Sequence, residues 1–302
     1  MKVITNNIKP ERIANAICQD KSFKGHHILL EGIKDIKVYS KFINKEKSNL
    51  VVCHGKYNQR GIFQVLCERK ITKKIAIRDA DFIRLRGNLQ AEFHSDFFIT
   101  DKHDSEGMII STPAFFNSLS ATLPAEKLAR LLEEHKDLES KLKSLVYNLG
   151  CLKLANKIYS LGLVFKPKSA DGNPLDLTKF IDFKNLSYQG NNLLIKAVIN
   201  YSVNKVDKGT IKDEATIRNA LEEIINTQHP VDEIVHGHDI SLALCHFVKK
   251  GLKVSNVPNL STADSIESLW ASSFDNDFFR NTELYQSLTN WCEANNIEIL
   301  TV

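Results

Sequence analysis

Acidic side chains stand at the ends of three apolar runs in the first third of this sequence. "HILL" runs into Glu31, with Asp35 four residues on. "KIAI" runs into Arg78, Asp79 and Asp81, and "FFIT" runs into Asp101, His103, Asp104 and Glu106. Asp79 and Asp81, two apart on what reads as an extended segment, project to one face. With no Lys or Arg between them they repel when both are ionised. A hard divalent cation such as Mg2+ relieves that repulsion, because it prefers carboxylate oxygens, takes one or two from the protein and keeps its other positions for water or phosphate. An Asp-x-Asp on an open surface is merely solvated; the apolar run before this one sets it apart. Glu31 is followed by Gly32, which lets a backbone or a phosphate approach closely. Asp35 falls in the first turn of the next helix, where a carboxylate also complements the helix dipole. In the third cluster Asp104 and Glu106 suit a helix start as well as a metal. Lys56, in "CHGKYNQRG", suits charge neutralisation at a phosphate or an exposed loop. Arg78, Arg84 and Arg86 flank the Asp-x-Asp and suit a phosphate backbone or ordinary ion pairs.

The elements that must position these groups alternate in type. A short helix ("PERIANAICQ") precedes the strand "HHILLEG"; "DIKVYSKFIN" has helical spacing; "NLVVCHG" is a strand, "NQRGIFQVLCERK" a helix, "KKIAIRDADF" a strand, and "SDFFITDKHDSEGMII" opens with a fourth strand. Compact apolar runs separated by amphipathic segments predict an α/β fold, a Rossmann-like parallel sheet flanked by helices. In open sheets of this kind sites form at the carboxyl ends of the strands, which is where the acids lie.

A Glu-Gly ending the first strand and an Asp-x-Asp ending a later one, some fifty residues on, resemble a Toprim domain, the metal-binding module of topoisomerases, primases and OLD-family nucleases. "HGK" after the second strand and the "HDSEG" cluster are similar to the Toprim-like effectors that accompany ABC-type ATPases in bacterial anti-phage systems of the PARIS type. The resemblance covers about residues 20–115 and reaches the later "VHGHD" loosely. It implies a nuclease using Mg2+ or Mn2+, with Glu31 as acid/base and Asp79 and Asp81 on the metal. It further implies RNA of the tRNA type as target and an ATPase sensor as partner. A type II topoisomerase's tyrosine domain or a primase's zinc module has no room in this chain. The rivals are a non-catalytic subunit that regulates an ATPase and a nuclease directed at DNA.

The domain expectation is 1–115 for the catalytic part and 116–302 for a mainly helical region. In "LPAEKLARLLEEHKDLESKLKSLVYNL", Leu128, Leu131, His135, Leu138, Leu142, Leu145 and Leu149 keep three- and four-residue steps. That predicts one long helix, either packed on its own domain or forming a homodimer seam. "KPKSADGNPLD" (Lys166 to Asp176) reads as a loop, and "DLTKFIDFKNLSYQGNNLLIKAVINYS" as two strands or a strand and a helix. "KDEATIRNALEEII", "DISLALCHFVKKG" and "TELYQSLTNWCEANN" read as helices, and "IEIL" as a short final strand. In "VHGHDIS", His236, His238 and Asp239 lack the further ligands of an HxHxDH metallohydrolase; Asp239 reads as an N-cap, with a contribution of His238 and Asp239 to the acidic site as the alternative.

The 302 residues carry 40 basic and 36 acidic side chains, net +4, and are 43% hydrophobic. That composition supports a sizeable core and leaves any basic surface local. The six cysteines form no CxxC pair, so a disulfide framework and a structural zinc are not expected. No Walker, Rossmann or Gly-x-Ser-x-Gly pattern occurs. With no apolar run of membrane-span length and no signal-peptide core, the expectation is a cytoplasmic protein that contacts no membrane.

Overall fold

The computed structural model describes residues 9–87, 94–167, 172–254 and 257–301. The expected loop Lys166–Asp176 therefore lies partly outside the described residues, and the first eight residues lie wholly outside them. Two compact units emerge, Met1–Ala114 with Trp270–Val302, and Phe115–Leu269.

The first unit is α/β. Its elements are α1 (Pro10–Gln19), β1 (His26–Leu30), α2 (Ile33–Tyr39), β2 (Ser48–Val52), α3 (Lys56–Glu68), β3 (Lys74–Arg78), β4 (Phe97–Ile99) and α4 (Ser105–Ile110). The sheet is all parallel in the order β2-β1-β3-β4, with Leu30 opposite both Val52 and Ile77. All of β3 and all but His26 of β1 are buried, which is why these strands read as unbroken apolar runs. Alternate residues serve opposite faces. Leu29, Ala76 and Phe97 pack with Ala14 and Ile17 of α1 and with Ile62, Phe63 and Leu66 of α3. The chain moves from β1 outward to β2, then crosses back over β1 to β3. Right-handed crossovers therefore place α2 and α3 on opposite faces and open a switch point between the carboxyl ends of β1 and β3.

The sequence reading closed the first domain at 115, yet the segment from Trp270 folds with the sheet. The cause is aromatic. Phe279 stacks on Phe42 at a centroid distance of 4.3 Å, and Trp291, in the helix Glu283–Asn295, meets His26 and Phe98 edge-on. The expected strand "IEIL" is only a bridge between Leu300 and Ile43.

The second unit is mainly helical. Its expected single long helix is two, Ala125–Glu134 and Leu138–Tyr159, interrupted at His135 to Asp137. Leu131, Leu138, Leu142, Leu145 and Leu149 are buried inside the chain while Leu128 and His135 are half-buried, so most of the stripe packs internally, shared between two helices. The segment after Asp176 forms two two-residue strands, Ile181–Asp182 and Ser187–Tyr188, and the helix Asn191–Val203. Helices Glu214–Asn226 and Gly237–Lys250 follow. Among the described residues, no helix is long and apolar enough to cross a membrane.

Candidate acidic site at the sheet's carboxyl edge

β1 ends at Leu30, and Glu31 is the next residue. Two bonds fix its loop against the end of β2: Cys53 N–H donates to the Leu30 carbonyl and Gly55 N–H to the Glu31 carbonyl, both at 2.8 Å. Gln59 locks the other side of the switch point. Fully buried in α3, it sends its amide to the carbonyls of Leu29 (2.9 Å) and Ile77 (2.8 Å), on β1 and β3. The sequence carried a signal for it, because Gln59, Ile62, Phe63 and Leu66 fall at helical spacing and only Gln59 breaks the apolar stripe.

Burial pushes the Glu31 carboxyl up to about 7, with the charges of Asp81 and Asp35 adding to it against Arg78 and Lys56. One of its oxygens, Oε1, is buried without a hydrogen-bond partner. Asp35, in the first turn of α2 as expected, accepts the Gly32 N–H at 2.7 Å and so caps the helix. Burial nevertheless lifts it to about 6, and Asp104 contributes to the rise. Asp79 lies well above the usual carboxylate range: burial is the largest cause, followed by the charges of Asp35, Glu106, Asp104 and Glu31. Its Oδ1 accepts the Ser105 N–H at 3.0 Å. Five carboxylates from the ends of β1, β3 and β4 therefore feel one another, as the α/β reading requires.

The Asp-x-Asp geometry differs from the extended pair expected. β3 stops at Arg78, and Asp81 adopts φ +47°, a left-handed turn. Its N–H bonds the His103 carbonyl at 2.7 Å, and its side chain accepts from Lys56 Nζ at 2.8 Å. Burial works against the Lys56 charge, but Asp81 and Glu31 outweigh it and hold the ammonium above its ordinary value. His103 is buried with Nε2 3.9 Å from Asp81. Among the described residues, Glu31, Asp79 and Asp81 do not bring one oxygen each within 4.8 Å of the others. Asp81 is turned toward Lys56 and Asp79 toward the cluster with Asp35, Glu106 and Asp104.

Other expected positions take structural duties. Asp101 accepts the N–H groups of Glu283 (2.7 Å) and Leu284 (2.8 Å), pinning the start of the C-terminal helix. Asp104 is buried and caps α4 through Gly107 N–H at 2.8 Å. Arg78 is buried at the end of β3, and its charge acts on Glu31. Arg84 donates to the Thr100 carbonyl at 2.6 Å, whereas Arg86 stays exposed. Asp239 is not the N-cap; the helix starts at Gly237, and the buried Asp239 carboxylate takes the Lys153 ammonium at 2.5 Å. His238 Nδ1 sits 2.6 Å from Glu267.

One buried group here escaped the sequence reading. Tyr39 is 1% exposed, its hydroxyl has no hydrogen-bond partner, and burial together with Asp79, Asp35 and Glu106 raises it well above its usual range. It lies one turn beyond Asp35 on α2, on the same helix face.

These donors fit a hard divalent cation. Carboxylates that raise one another's pKa, one with a buried unpartnered oxygen, gain from a cation more than from any neutral ligand. No model of a known protein family matches the chain, and no curated protein matches it.

Proposed function

We propose that the chain is a nuclease dependent on Mg2+ or Mn2+, cleaving RNA of the tRNA type as the toxic effector of a cytoplasmic anti-phage system with an ABC-type ATPase partner. The observation that carries the metal-dependent chemistry is the set of acids converging on the β1–β3 switch point, with Glu31 held near neutrality. The RNA target and the ATPase rest on the resemblance alone. The chemistry a divalent cation would supply there is polarisation of a phosphoryl oxygen and charge balance at the leaving oxygen. Glu31, with a pKa close to working pH, takes a proton from the attacking water or returns one to the leaving group. Asp79 and Glu106, at the ends of β3 and β4, would hold that cation. Lys56, released from Asp81 or shared with it, balances charge on the scissile phosphate.

The test is cleavage of total RNA and of plasmid DNA with Mg2+ or Mn2+, alone and after co-expression with a neighbouring ATPase. Discrete RNA cutting abolished by Glu31→Gln and Asp79→Asn, and weakened about 100-fold by Lys56→Ala, is the expected result. Cutting that survives both acid substitutions sinks the assignment, and cutting confined to plasmid DNA replaces the substrate.

A further inference from the structure

Among the described residues of the first unit, two large apolar side chains stand well into solvent: Ile33, 64% exposed, and Tyr57, 74%. Isolated exposed apolar residues are ordinary; their position here is not. Each lies two residues beyond the Gly55 N–H to Glu31 carbonyl bond that ties the ends of β2 and β1. Tyr57 occupies the first turn of α3, where it adds nothing to the core and where an acidic or small polar residue is favoured.

The surroundings of the ring specify a ligand. Lys56 Nζ lies 5.9 Å from its centroid and 2.8 Å from Asp81. The first bond within α3 runs from Gln59 N–H to the Gly55 carbonyl, so the amides of Lys56 and Tyr57 have no carbonyl inside the helix and present its positive end. Gly55, at φ +111°, meets no residue beyond its own chain neighbours within 4 Å of where a Cβ would stand, so the backbone at the start of α3 is uncrowded there. An anion site one residue from a flat exposed ring matches the phosphate and base of one nucleotide.

We infer that Tyr57 is the stacking platform for an unpaired base beside the phosphate bound at Lys56, so that the site takes single-stranded or looped nucleic acid in preference to duplex. This rests on the nuclease reading of the same site and names its substrate class. A paired base has both faces covered by its neighbours and cannot use the ring.

The experiment measures anisotropy of a labelled single-stranded oligonucleotide and of its duplex on full-length protein carrying Glu31→Gln, with Mg2+ present. Tighter binding of the single strand is expected, weakened about 5- to 100-fold by Tyr57→Ala, retained by Tyr57→Trp and Tyr57→Phe, with duplex binding unmoved. Equal affinity for single strand and duplex, or a Tyr57→Ala protein that binds the single strand as before, overturns the platform; the latter assigns the ring to another occupant, such as a partner protein. Equal weakening for both forms overturns it as well. Tyr57-dependent binding by a protein whose wild type cuts nothing leaves the platform standing and the nuclease reading fallen. Cutting by a protein whose binding ignores Tyr57 keeps the nuclease and removes the platform.

Discussion

Replacing Glu31 by Gln is expected to stabilise the metal-free protein at neutral pH while weakening its response to Mg2+. The Glu31 carboxyl rises from 4.5 to about 7 on folding, with burial as the main cause. Between those values the folded chain holds a proton that the unfolded chain releases, so stability falls as pH climbs from about 4.5 to about 7 and levels off above that. A rise of this size corresponds to roughly 3 kcal/mol. Asp35, lifted to about 6, steepens the lower part of the same window. Glutamine cannot ionise, so Glu31→Gln removes its share of the slope and leaves the metal-free variant more stable than wild type above about pH 7, by up to roughly 3 kcal/mol. A cation that replaces the lost proton restores the wild type and helps the variant less. Urea unfolding followed by tryptophan fluorescence is suited to this, since both tryptophans, Trp270 and Trp291, belong to the unit that carries the site. Runs at several pH values, with chelator or with saturating Mg2+, give the slope and the cation's share. A variant no more stable than wild type above pH 7 without cation, or a Mg2+ gain equal in both, would refute the account of Glu31.

Tyr39→Phe removes a buried hydroxyl without a partner, so the metal-free protein should be unchanged or up to about 1 kcal/mol more stable; a clear loss in urea unfolding would mean the hydroxyl is satisfied. Asp101→Ala strips two backbone N–H groups of their acceptor and should cost about 1–2 kcal/mol, with faster hydrogen exchange at Glu283 and Leu284 and no change in Mg2+ affinity. Asp239→Ala leaves the Lys153 ammonium unpaired in a mostly buried position and should cost about 3–5 kcal/mol; Asp239→Ala with Lys153→Met should recover much of that, as read by far-ultraviolet circular dichroism.

The sheet was legible because buried parallel strands must be apolar on both faces, which leaves runs such as "HILL" and "KIAI" with no helical alternative of adequate length. Glu31 and Asp79 were legible for the related reason that a carboxylate directly after such a run has to be at the sheet's carboxyl edge. Sequence could not separate Asp101 from Glu106, since both follow β4. Only the folded chain shows the first holding two amides of a helix some 180 residues away, a non-local contact that no spacing encodes. Asp81 was misplaced because period-two reasoning ends where the strand ends, and the turn at φ +47° is set by its bond to the His103 carbonyl and its pairing with Lys56. The leucine seam failed similarly: heptad spacing fixes which residues are buried but not whether the backbone stays helical through His135–Asp137. Local pattern thus decided the element types and the acids at their ends. Tertiary packing decided which of those acids are buried and close enough to raise one another's pKa, because burial and mutual repulsion depend on distances between segments remote in sequence.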